Sequence, residues 1–182
     1  MSVVLPRCVI FVGFMGAGKS GVGRGVADRI GWSFRDADQA VEEHEGRSLS
    51  EIFRVSGEEH FRRVEAEVTL SLLQGEGIVI AAGGGWGAVP GRLAALPDDV
   101  CSVWLRVSPQ RAVARVRGDS VRRPLLEHAA DPSRVAASLL AEREPHYADA
   151  RFHVDTDGMD VDGVVAAVLS VLIPTPNNSS TE

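Results

Sequence analysis

Gly13-Phe14-Met15-Gly16-Ala17-Gly18-Lys19-Ser20 fits the phosphate-binding pattern GxxxxGK[ST] at every fixed position, and its flanks restrict what can be built around it. Before it, Cys8-Val9-Ile10-Phe11-Val12 is a continuous apolar, β-branched run that predicts a buried parallel strand. After it, Gly21 to Ile30 predicts a helix, with Val22, Val26, Arg29 and Ile30 near helical spacing. In the order strand, glycine loop, helix, backbone N–H groups wrap a phosphate and the start of the helix adds partial positive charge. Lys19 is also the only lysine of the chain; every other cationic side chain is arginine. A compact, flexible ammonium bridges the outer phosphates of a nucleotide better than a planar guanidinium does. The expected ligand is a nucleoside triphosphate.

Composition narrows the setting. The chain has 182 residues, of which 45% are hydrophobic and 24% charged. At about 150 residues per domain this length predicts one globular core. A formal net charge of -6 gives no diffuse cationic field, so neither nucleic acid nor an anionic membrane surface is expected as a partner. No signal peptide or spanning helix is read from the sequence, and the two cysteines have neither metal nor CxxC spacing. Cys8 and Cys101 lie in or beside apolar runs and are read as buried, inert thiols, in keeping with a cytoplasmic, reducing location.

Strand-like runs recur at Ser33 to Arg35, Ile78 to Ala82, Ser102 to Val107 and Phe152 to Val154, with helical patterns between them. Such alternation predicts an α/β fold, a parallel sheet with helices on both faces and ligands at the carboxyl ends of the strands. Ser108-Pro109 and Asp131-Pro132 each put a capping residue before a proline at the first helical position. Between those helices, Gly118 to Pro124 mixes glycine, arginine and proline, as a lid does, and residues 174–182 read as a disordered tail.

Several segments offer chemistry at that sheet edge. Asp36-Ala37-Asp38 follows the second strand; alternation along an extended segment would point both carboxylates toward the site. One acid could hold Mg2+ through its waters while the other accepts a substrate hydroxyl proton. Gly83-Gly84-Gly85 closes the third strand where many P-loop ATPases have an acid, and would let a small polar molecule approach the backbone. Arg62 and Arg143 could clamp a carboxylate, with Glu65 holding Arg62 in place, while Arg63 and Arg122 are read as solvated surface charges.

Taken together, the GFMGAGKS loop, the DxD, GEEHFRR, the GGG, and RPLL followed by RxPxY resemble the shikimate kinase family from about Arg7 to Val171. The resemblance implies a P-loop, nucleoside-monophosphate-kinase-like three-layer fold with a five-stranded parallel sheet and a lid. It implies one kinase domain over residues 1–173, with an acceptor-binding region near 36–65 and the lid near 118–130. By the same resemblance Gly16, Ala17, Gly18, Lys19, Ser20 and Gly21 hold ATP, and Arg117 flanks the adenine. Ser20 and Asp36 take Mg2+. Asp38 takes the acceptor hydroxyl, while Arg62 and Arg143 grip the shikimate carboxylate. Gly83, Gly84 and Gly85 line the acceptor pocket, and Arg123 of the lid reaches the transferring phosphate. The implied reaction moves the γ-phosphoryl of ATP to the 3-hydroxyl of shikimate in aromatic amino-acid biosynthesis, by a protein expected to be a monomer. A gluconate kinase or a kinase for a shikimate-like cyclitol is the alternative. Departures from the family pattern are Gly21, where a second hydroxyl residue is common, Trp86, where a small residue is usual, and the acidic stretch Asp157 to Asp160.

Overall fold

The computed structural model describes residues 6–117 and 130–173. Five strands form one parallel sheet: β1 (Cys8–Val12), β2 (Ser33–Asp36), β3 (Ile78–Ala81), β4 (Val100–Arg106) and β5 (Phe152–Asp155), in the order β2-β3-β1-β4-β5. The fully buried β1 pairs with β3 on one side (Val9 beside Val79) and with β4 on the other (Val9 beside Cys101). Its β-branched composition suits a strand covered on both faces. Alternation places Phe11 toward the helix that follows the loop and Val12 toward the opposite layer: Phe11 lies near Gly23, Val12 near Gly87.

The helices are α1 (Lys19–Ile30), α2 (Ala37–Glu45), α3 (Leu49–Leu72), α4 (Pro109–Arg117), α5 (Pro132–Tyr147) and α6 (Val161–Leu172), with a 3-10 turn at Trp86–Ala88. Helix α1 packs with α6 on one side of the sheet, and α5 packs with α4 and the 3-10 turn on the other. The caps follow sequence chemistry. Asp131 accepts from the Arg134 N–H, with Pro132 opening the helix, and the Ser108 hydroxyl accepts from the Arg111 N–H. Ser48 and Glu51 form a reciprocal capping box at the start of α3, which is then kinked at Gly57 (φ 82°). The GEEHFRR segment is thus the second limb of a longer helix.

Two hydrophobic clusters divide the interior. The larger surrounds the sheet; the smaller, Val41, Ile52, Phe61 and Val64, joins α2 to α3. The region expected to bind the acceptor therefore has a small core of its own. Cys8 and Cys101 are free and buried; burial pushes their thiols up to about 12 and about 11. The expected lid segment, apart from its last residue, and the tail lie outside the described residues.

Candidate active site

The loop between β1 and α1 occupies the carboxyl edge of the central strand, with Gly16 and Gly18 at φ 75° and 88°. These left-handed positions favour glycine and bend the backbone into a cradle; a Cβ on Gly16 would also sit 2.7 Å from the Ala112 carbonyl oxygen. Lys19 and Ser20 form the first turn of α1, which starts two residues earlier than the apolar pattern predicts because Gly18 takes the cap. The Lys19 ammonium donates to the carbonyl oxygens of Gly13 (2.8 Å) and Phe14 (3.0 Å), so it is folded across the loop.

Asp36 and Asp38 converge on this cradle by a different route from the one alternation suggests. Asp36 ends β2 and caps α2: its Oδ1 accepts from the Asp38 N–H at 3.0 Å. Asp38 lies in the first turn of α2, so helical geometry rather than strand alternation brings the two acids to one side. The second oxygen of Asp36 accepts from the Ser20 hydroxyl at 2.5 Å. One pocket of about 260 Å3 is lined by Gly16, Gly18, Lys19, Ser20, Gly21, Asp36, Asp38 and Gly84, together with Met15, Ala82, Arg115 and Val116. A hydroxyl and a carboxylate side by side supply hard oxygen donors, which suit Mg2+ shared with phosphate oxygens and water.

The three glycines make a seam for side chains. A Cβ on Gly83 would meet Glu65 Oε1 at 2.1 Å and Asp38 Oδ1 at 3.0 Å; one on Gly85 would meet Arg62 Nη1 at 2.5 Å. The Gly84 carbonyl accepts from Arg143 Nη1 at 3.4 Å and from the Tyr147 hydroxyl. The glycines thus make room for the protein's own Arg62, Glu65 and Asp38, and of the three only Gly84 lines the pocket.

Arg62 is held by its own helix: Nη1 donates to Glu65 Oε2 at 2.9 Å and Nη2 to Glu58 Oε1 at 3.2 Å. Burial works against its charge, but Glu65 and Glu58 more than offset this and raise its pKa. Glu65 is 1% exposed and its carboxyl pKa is raised, chiefly by burial, against the counter-pull of Arg62. Burial likewise pushes the Tyr147 hydroxyl up to about 12, so it stays a donor at neutral pH. Arg63 is exposed, as expected.

Of the sequence-based assignments, Ala17 is buried and does not line the pocket, and Arg62, Gly83, Gly85 and Arg143 form the wall around Gly84. Arg117 ends α4 with its side chain outside the description, and Arg123 lies outside the described residues. Sequence reasoning missed Arg115, which donates to the Gly16 carbonyl (3.1 Å), the Thr156 hydroxyl (3.1 Å) and the Thr156 carbonyl (3.0 Å), tying the phosphate loop to the end of β5. Two partner residues far from it in the chain left it no local signature. It also missed Arg92, which donates to the Trp86 carbonyl oxygen.

A phosphate loop at the edge of a five-stranded parallel sheet, facing two acids and a glycine seam, defines a P-loop small-molecule kinase. The family model described as shikimate kinase matches residues 15–173. A shikimate kinase of Moorella thermoacetica is 40% identical over 168 residues, 92% of this chain and 95% of that protein. A solved shikimate kinase of Acinetobacter baumannii, in complex with shikimate, superposes with a TM-score of 0.84 at 30% identity, covering 93% of this chain and 94% of that one. A gluconokinase of Sinorhizobium meliloti superposes less closely, with a TM-score of 0.61 at 20% identity over 92% of both chains, and shares the fold. The chain belongs to the shikimate kinase family, and its activity is ATP-dependent phosphorylation of shikimate.

Proposed function

We propose a division of labour for this reaction at the 3-hydroxyl of shikimate, carried by the convergence of Lys19, Ser20, Asp36, Asp38 and Gly84 on one pocket. The loop amides from Gly16 to Gly21 cradle the ATP phosphates, and Lys19 exchanges its loop carbonyls for the β and γ oxygens. Ser20 and Asp36 hold Mg2+, which when bound neutralises phosphate charge. Asp38 accepts the hydroxyl proton as that oxygen forms its bond to the γ-phosphorus and the bond to the bridging oxygen of ADP breaks. Arg62 and Arg143 bind the acceptor carboxylate; both already lie against the glycine seam, and two guanidinium forks fix a planar carboxylate in orientation as well as charge. Arg123 is assigned to the transferring phosphate and Arg117 to the adenine on family resemblance. A cytoplasmic monomer is the form we expect; both cysteines are free, and among the described residues no helix is long and apolar enough to cross a membrane.

The deciding experiment is ADP release with ATP and Mg2+ in the presence of shikimate, gluconate or no acceptor, with the product identified by NMR. Release with shikimate and phosphate on the 3-hydroxyl supports the reading. Release with gluconate alone would keep the mechanism and replace the acceptor.

A further inference from the structure

Behind the glycine seam stands a third arginine. Arg92 Nη1 donates to the Trp86 carbonyl oxygen at 3.2 Å, and its guanidinium carbon lies 5.2 Å from the centroid of the Trp86 ring. Trp86 is fully buried and directly follows Gly85, the residue against which the Arg62 guanidinium rests. Arg92 therefore grips, by hydrogen bond and cation–π contact, the turn that forms the back wall for Arg62.

The same guanidinium is close enough to favour the charge of Glu65 electrostatically. Oε2 of this buried carboxylate is engaged by Arg62, and Oε1 has no hydrogen-bond partner among the described residues. The groups acting on it come from several elements: Arg62, with Glu58 beside it, on α3; Asp38 on α2; Arg92 after the 3-10 turn; and Tyr147, next to Arg143, on α5. Burial and Asp38 disfavour its negative charge, whereas Arg62 and Arg92 favour it. Arg92 is in turn partly desolvated, which together with Arg62 lowers its own pKa, while Glu65 works the other way.

We infer that Arg92 is a positioning residue for the acceptor carboxylate: it fixes the Trp86 turn and gives Glu65 a second positive charge, so that Glu65 keeps Arg62 seated against Gly85. This rests on the proposed role of Arg62 in acceptor binding. A protonated Glu65 holds Arg62 less tightly, so acceptor affinity falls on the acid side as pH drops through the raised Glu65 pKa. Losing Arg92 makes Glu65 easier to protonate and moves that fall to higher pH.

The test is the KM for shikimate as a function of pH, with the KM for ATP and the Tm, for the parent, Arg92→Ala, Arg92→Lys and Arg62→Ala. Arg92→Ala is expected to raise the shikimate KM about tenfold at neutral pH, leave the KM for ATP unchanged, and shift the acid limb upward. Arg92→Lys restores the charge and should return the acid limb toward the parent position. If Arg62→Ala raises the shikimate KM and Arg92→Ala does not, the inference about Arg92 is wrong while the acceptor site stands. If Arg92→Ala and Arg92→Lys raise both KM values alike with no movement of the acid limb, Arg92 is only structural. An unchanged shikimate KM in Arg62→Ala would remove the acceptor reading and this inference with it.

Discussion

Asp36 divides its two oxygens between a helix cap and the proposed metal site: Oδ1 caps α2, and Oδ2 receives the Ser20 hydroxyl. Asp36→Asn keeps a capping oxygen and loses the charge, so it should fold with little loss of stability while needing more Mg2+ for half-maximal rate; Asp36→Ala should also lose about 1 kcal/mol of stability. A Mg2+ titration beside a denaturant melt separates the two. Asp38→Asn is predicted to cut kcat by about 10² to 10⁴ with ATP affinity unchanged, because it removes a proton acceptor at constant shape. Unchanged turnover would take Asp38 out of that role. The residue types of this site were legible in the sequence because phosphate and metal chemistry demands them at fixed spacing. Their geometry was only partly legible. Alternation was the wrong physical argument for Asp38, whose direction comes from a helix start, and Arg115 acts through partners distant in sequence.

At the scale of elements, the boundaries set by side-chain caps follow the sequence most closely. The Ser108 and Asp131 caps begin their helices as the sequence predicts, since capping is local. β1 spans the residues read from the sequence, the other four strands differ by one or two residues at an end, and α3 begins well before GEEHFRR, with Gly57 as a kink inside it. The glycine seam shows what periodicity cannot: Gly83 and Gly85 are small because side chains from α2 and α3 occupy the space of their Cβ atoms. Gly83→Ala is accordingly expected to displace Glu65 or Asp38 and to weaken shikimate use at least as much as Arg62→Ala does, with nucleotide binding retained. Equal loss of ATP and shikimate affinity, measured by separate KM values, would show instead that the substitution disrupts the whole sheet edge.

Across the whole molecule, the cluster of Val41, Ile52, Phe61 and Val64, in the region proposed to bind the acceptor, is small beside the core around the sheet, and the two are distinct packing units. Units of this kind open with different free energies, and binding regions are drawn from the less stable end. The sheet core carries its own reporters, since Cys8 and Cys101 lie in adjacent central strands with thiols raised to about 12 and about 11 by burial. So little thiolate is present at neutral pH that a disulfide reagent should modify them only when β1 and β4 separate. Ile52→Ala removes a fully buried side chain from the smaller cluster, at a cost of about 2 to 5 kcal/mol to that unit. It should speed amide hydrogen exchange in α2 and the first limb of α3 and raise the shikimate KM, while thiol modification stays as slow as in the parent. Thiols that became reactive in step with α2 and α3 would mean that the two cores open as one. The acceptor site could then loosen only by unfolding the sheet that carries the phosphate loop.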